Sequence, residues 1–271
     1  MRQRVDSLLV ASGKGGVGTS VVASLAALAA AERRDRVLLV DANEGGGTLH
    51  HLFGVRPTSS LWMLGDERVH ANDVMMRVDE NVTLVAGGTS GTAVAPANDA
   101  ERRAALARLA HVYRDYDTII FDGGSRLDTI SAISELTDPT LLLVTSADRL
   151  ALAANYALVK SVSAKRNEAP IAVVANRHSD ALASEACEFL IGACSHFLGR
   201  TIDVAGVIPD DPCLQAAVGA GMTVRDALDG SPAAEAMRGI ITKVLPSSRS
   251  FTAPVPPSFS PPLSPSFRRW S

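Results

Sequence analysis

The sequence predicts a doubly wound α/β domain, a mostly parallel sheet with helices on both faces, and three observations carry that expectation. Short apolar runs alternate along the chain with longer segments of helical pattern. Those runs are apolar throughout rather than at alternate positions, as strands covered on both faces must be. A glycine-rich stretch, residues 12–20 ("SGKGGVGTS"), lies between the first apolar run and the first helical segment, the strand-turn-helix setting in which such a loop cradles phosphate.

Taken in order, residues 7–12 form the first expected strand and run directly into the glycines, after which residues 20–33 read as a helix. Further strands are expected at 37–41, 82–86, 118–122, 140–145, 171–175 and 204–208, with helices at 99–113, 150–164, 181–198, 212–220 and 232–245. Parallel strands joined through helices imply right-handed crossovers and a sheet covered on each side. This α/β domain should therefore span 1–245. From residue 246 the composition changes: 246–271 hold seven prolines and eight serines, with Phe251, Phe259 and Phe267 spaced eight apart before a terminal "FRRWS". Such a segment buries too little to offset its ordering entropy, so a disordered tail is expected. Trp270, Phe267, Arg268 and Arg269 could touch an anionic membrane surface weakly, but without an amphipathic helix lasting attachment is not expected.

At 271 residues, 46% hydrophobic and 20% charged, the chain can bury a substantial core. A formal charge of -3 disfavours broad electrostatic capture of nucleic acid. No run approaches the ~18 to 20 apolar residues of a membrane span, and residues 8–11 are too short for a secretory core, so the cytoplasm is the expected compartment. Cys187, Cys194 and Cys213 are odd in number and form no C-x-x-C pair; all three are expected to be buried thiols.

The pattern G-x-x-x-x-G-K-[ST] fits Gly13, Lys14, Gly15, Gly16, Val17, Gly18, Thr19 and Ser20 at every fixed position but one, since Thr19 stands where the phosphate-reaching lysine belongs. Glycines let successive N–H groups curl around an anion, and the helix start adds partial positive charge. Ser20 can offer its hydroxyl to Mg2+, and Asp122, closing "TIIFD", sits where a carboxylate would hold a water of that ion.

"GKGGVG", with Lys14 near the start of the loop, resembles the deviant Walker A signature. "RVLLVDAN", "YDTIIFDGG", "NYALVK", "VVAN" and "GVIPDD" follow in order, so that over residues 7–245 the chain resembles the MinD and ParA group of P-loop ATPases, especially the flagellar number regulators of the FlhG branch. The resemblance implies an ATP/ADP switch that forms a nucleotide-dependent homodimer, with Lys14 reaching the partner's phosphates. It also implies a protein partner in flagellar or other assembly machinery, and adenine contacts from Asn176, Pro209 and Asp210 within the 209–211 loop. Asp41 would remain for the magnesium shell.

Several positions depart from that pattern. Thr19 removes a charge-assisted contact worth about 1.5 to 3 kcal/mol, lowering nucleotide affinity about tenfold to over a hundredfold. Asn43 replaces the acidic residue that would activate the attacking water, and an amide cannot accept a proton as a carboxylate does. Gly123 and Gly124 should loosen the loop after Asp122, and Ala154 replaces an aspartate. His50 and His51 lack further ligands at metal spacing and belong to a switch helix. Twelve residues precede Gly13, too few for the extension by which FlhG relatives act on a partner GTPase. The leading expectation is a regulator of the number or placement of a cellular structure, most plausibly flagella, with weakened ATP binding and slow or absent hydrolysis. A non-catalytic scaffold of a secretion, pilus or cellulose system and a ParA-type DNA-partition ATPase are the alternatives.

Overall fold

A computed structural model describes residues 5–44, 47–88, 95–166, 168–177 and 180–245. The expected tail, 246–271, lies outside the described residues. In chain order the elements are β1 (Asp6–Ala11), α1 (Thr19–Glu32), β2 (Val37–Asp41), α2 (Leu49–Leu52), β3 (Met75–Arg77), β4 (Val82–Val85), α3 (Asp99–Leu109), β5 (Thr118–Gly124), α4 (Leu127–Thr137), β6 (Thr140–Thr145), α5 (Arg149–Lys165), β7 (Ile171–Asn176), α6 (Asp180–Leu198), β8 (Asp203–Ile208), α7 (Pro212–Gly219) and α8 (Pro232–Val244).

The strands form one eight-stranded sheet in the order β3-β4-β2-β5-β1-β6-β7-β8. Every neighbouring pair is parallel except β3 with β4, so the expected fold class holds with one antiparallel strand added at an edge. From β1 the chain winds toward β2 on one side, and its later strands β6 to β8 lie on the other. The carboxyl end of β1 is therefore a switch point of the sheet, where open α/β folds hold their ligands.

Strand side chains alternate between two cores. Leu9, Leu38, Val40 and Phe121 point to the face covered by α3, α4, α5 and α6, while Leu8, Val10, Leu39 and Ile120 point to the face covered by α1, α7 and α8. Residues 22–31 of α1 are all buried, because α1 lies between the sheet and α8. A helix enclosed on all sides is apolar all round, and its many alanines let both neighbours approach closely.

Some expectations are corrected. β3 and α4 were not among the expected elements. The helix from Asp99 stops at Leu109 and continues as a 3-10 turn, Ala110–Asp115. Gly123 and Gly124 do not loosen a loop; they end β5 and are buried. A Cβ on Gly123 would stand 2.8 Å from Leu9 Cδ1 and force that side chain to shift, and Gly124 has φ +58°, a conformation that strains any residue with a Cβ. Cys187 and Cys194 are buried, but Cys213 is exposed, since it lies in the first turn of α7 directly after Pro212.

Candidate nucleotide-binding site

The glycine loop leaves β1 at Ser12 and enters α1 at Thr19. Gly16 (φ 83°) and Gly18 (φ 93°) take the left-handed conformation that a Cβ disfavours. Gly18 is also the N-cap of α1 and provides no side-chain acceptor, whereas α3, α5, α7 and α8 are capped by Asn98, Asp148, Asp211 and Ser231. The first N–H groups of α1 thus face the loop without a side-chain cap, as an anion site requires.

Two asparagines brace the loop from behind. Asn155 of α5 accepts from the Gly13 N–H (2.6 Å) and the Ser12 hydroxyl (3.2 Å) through Oδ1, and donates through Nδ2 to the Val144 carbonyl of β6 (3.0 Å). Asn176, at the end of β7, donates to the Val17 carbonyl (2.8 Å). Contact is so close that a Cβ on Gly13 would lie 2.1 Å from the Ala154 carbonyl oxygen, and one on Gly18 2.5 Å from Asn176 Nδ2. Asn155 lies inside the quoted "NYALVK", but its loop partners Ser12 and Gly13 are over 140 positions away, and nothing in the local pattern distinguishes it from a surface polar residue.

Lys14 Nζ pairs with Asp148 Oδ1 at 3.0 Å within the same chain. Asp148 also accepts from the Ser146 hydroxyl and the Ala151 N–H, and these bonds, with Lys14 after them, hold its carboxyl well below the usual range. The lysine that the resemblance sends to a partner's phosphates is here turned onto the start of α5.

Asp41, the last residue of β2, and Asp122, two residues before the end of β5, face each other in register on adjacent strands, and both are fully buried. Asp41 accepts N–H groups from Leu49 (3.1 Å) and Asn43 (3.2 Å). Burial first, and the Asp122 charge second, push its carboxyl up to about 7. Burial likewise raises Asp122, opposed by the hydroxyls of Ser20 and Thr19 and the Gly124 N–H. Even so, Asp122 Oδ2 has no hydrogen-bond partner of good geometry. An orphaned carboxylate oxygen beside the Ser20 hydroxyl, at the mouth of a glycine loop, fits Mg2+, which prefers few protein oxygens together with water and phosphate. Among the described residues no three His, Cys, Asp or Glu form a metal cage. His50 and His51 lie with ring centroids 3.9 Å apart and planes tilted by 41° in α2.

Next to Asn43, Glu44 makes a network that its sequence setting did not signal. Arg102 of α3 grips it through Nε (2.5 Å) and Nη2 (3.2 Å), Arg126 reaches Oε2 at 3.2 Å, and the Thr129 hydroxyl of α4 donates to Oε1. Burial pulls the Glu44 carboxyl upward, yet the Arg102 and Thr129 hydrogen bonds and the arginine charges hold it below its usual value. At the far end, Asp210 pairs with Arg177 (3.5 Å) and accepts from Gln215 (2.7 Å). Asp211 caps α7 and accepts from the Ser231 hydroxyl (2.6 Å). Pro209 and Asp210 thus follow β8 on the side of the sheet where Asn176 ends β7.

Residues 8–224 match the profile of the CobQ/CobB/MinD/ParA nucleotide binding domain. The chain belongs to this family. Among curated proteins, the antiactivator FleN of Pseudomonas aeruginosa is 26% identical over 242 residues, covering 89% of this chain and 86% of that protein. An ATP-binding protein of Methanocaldococcus jannaschii is 24% identical over 250 residues, covering 88% and 87%. In structure, this MinD/ParA-type domain is similar to the septum site-determining protein MinD of Pyrococcus horikoshii solved with Mg-ADP (TM-score 0.72, 23% identity, 89% of this chain and 96% of that one). No described helix is long and apolar enough to cross a membrane.

Proposed function

We propose that this family member is a nucleotide-responsive regulator of the number or placement of a cellular structure, flagella before others, with weakened ATP binding and slow or absent hydrolysis. The observation that carries the reading is the glycine loop: its anion-binding backbone is built and braced, while Thr19 takes the place of its lysine and Lys14 is held by Asp148. Similarity to antiactivator FleN, with the motifs shared with flagellar number regulators, supports the flagellar choice.

In this reading Gly13 to Gly18 receive the phosphates on backbone N–H groups, and the start of α1 adds its dipole. Ser20 and Asp122 would hold Mg2+, with Asp41 behind them, and the ion would neutralise phosphate charge. Asn43 orients through its amide but takes no proton, which slows turnover. Asn176, Pro209 and Asp210 would border the adenine. The switch needs a difference between ATP and ADP, because a ligand without preference shifts no equilibrium, and a homodimer and a protein partner would read that difference.

Calorimetric titration with Mg-ATP and Mg-ADP, on the native chain and on Lys14→Ala and Thr19→Lys, tests this. Micromolar ATP binding that depends on Lys14 and exceeds ADP binding is expected. Absence of binding in the native chain, restored by Thr19→Lys, would leave a non-catalytic scaffold instead. Counting flagella in cells lacking the chain tests the cellular assignment, and an unchanged number and position would remove it.

A further inference from the structure

We propose that residues 246–271 of this chain dock in cis into the aromatic groove between α5 and α6. The groove measures about 940 Å³ and is lined by Leu152 and Tyr156 from α5 and by Phe189, Leu190 and Phe197 from α6, a volume in the range of built ligand sites. Phe189 is 64% exposed and Phe197 71%. Phenylalanines gathered in one concave patch mark a binding surface more often than isolated exposed ones do. None of these residues takes part in the nucleotide site.

The composition of 246–271 matches this surface. Two P-x-x-P spacings, Pro254 to Pro257 and Pro262 to Pro265, stand among Phe251, Phe259, Phe267 and Trp270. Such segments favour the polyproline II helix, which needs little further ordering and lays its rings against aromatic-lined grooves. Charge agrees as well. The segment holds Arg249, Arg268 and Arg269 and no acidic residue, so the chain's formal -3 places -6 on residues 1–245. Among the described residues the groove lining carries one acid, Glu185, and one base, Arg149, and Glu188 adds a further carboxylate, exposed on α6.

The path is short. Lys243 and Val244, at the end of α8, line a small cavity with Pro170, Asp203 and Val204, so the chain leaves α8 beside the start of β8. That strand begins shortly after α6 ends at Leu198, next to the Phe197 end of the groove. Twenty-six residues (246–271) extend to at most about 90 Å, far more than one edge strand requires. Tethering gives an effective concentration in the millimolar range, so a contact of only ~0.1 mM intrinsic affinity is mostly closed. The helix that clamps Gly13 through Asn155 would then carry the tail on its other side.

Tryptophan quenching in the full chain tests the inference, because Trp62 is only 5% exposed and Trp270 is the other tryptophan. With a Trp270→Phe chain as blank, acrylamide should quench Trp270 at least about threefold less than in a synthetic peptide of residues 246–271. Phe189→Ser/Phe197→Ser should raise quenching to the peptide value. Should circular dichroism show that pair misfolded, Glu185→Lys/Glu188→Lys should raise quenching in the same direction. Peptide-like quenching in the native chain would overturn the proposal, as would protection that survives these substitutions. Protection lost on dilution would assign the groove to a second copy's tail and overturn the cis arrangement.

Discussion

Asp41 shows how one residue links the site to stability. Its folded carboxyl, raised to about 7 by burial and by Asp122, keeps a proton that the unfolded chain has released above about pH 4. At this site the folded state therefore binds more protons between these values, and the contribution of Asp41 to stability falls as pH rises through that window. The loss attributable to Asp41 is at most about 4 kcal/mol. Chemical denaturation from pH 4.5 to 7.5 should show this decline, and Asp41→Asn should lessen it, leaving the part due to Asp122, whose carboxyl burial also raises; an unchanged slope would mean that the pair is relieved some other way. Mg2+ favours the ionised pair, so added magnesium should stabilise the native chain more at pH 8 than at pH 5. Asn155 makes the opposite kind of contribution. Asn155→Ala leaves the half-buried Gly13 N–H and the buried Val144 carbonyl without the partner that joins them, which costs about 1 to 3 kcal/mol, most of it from the carbonyl. Urea unfolding measures the cost, and a loss below about 0.5 kcal/mol would mean that solvent replaces the amide.

Between elements, Glu44 ties the segment after β2 to α3 and to the start of α4. Arg102 is 5% exposed beside it, while Arg126 is 53% exposed. Removing one member of a buried pair strands the other, so Glu44→Ala should cost about 3 kcal/mol, the low end of such losses, because Asp99 still pairs with Arg102. Arg126→Ala, at the exposed edge, should cost under about 1 kcal/mol. Equal costs in a denaturation series would contradict this division. The same network shows what sequence could and could not reveal. Strands such as 140–145 were legible because burial on both faces writes itself as a continuous apolar run. β3 was not, for its three residues "MMR" are too short to carry a period. α4 was missed because its buried face mixes Thr129, Ser131 and Ser134 with Ile130 and Ile133, blurring the apolar stripe. The glycine loop is contiguous and could be read directly. The contacts of Asp148 with Lys14, of Asn155 with Gly13 and of Glu44 with Arg102 join residues that the sheet brings together, and spacing along the chain does not encode those meetings.

At the scale of the whole molecule, the loop at the switch point touches both halves of the sheet: Asp122 and Asp41 lie on one side of β1, and Asn155 and Asn176 reach in from the other. A ligand that fills the loop therefore stabilises the fold as a unit, by RT ln(1 + [L]/Kd). If Thr19 weakens ATP binding ten- to a hundredfold, Thr19→Lys returns about 1.4 to 2.7 kcal/mol of that linkage at saturating nucleotide. A domain of this size shifts its Tm by about 2 to 4 °C per kcal/mol. With millimolar Mg-ATP, the Thr19→Lys chain should therefore gain about 3 to 11 °C more in Tm than the native chain gains. The comparison is of shifts within each protein, so a change in basal stability from the lysine itself drops out. The added ammonium would also face Asp122 and Asp41, and should weaken the pH dependence described for Asp41 even without nucleotide. Equal thermal shifts in the two proteins, with the pH dependence unaltered, would mean that position 19 does not face the phosphates, and the reading of the loop as a weakened nucleotide site would fail with it.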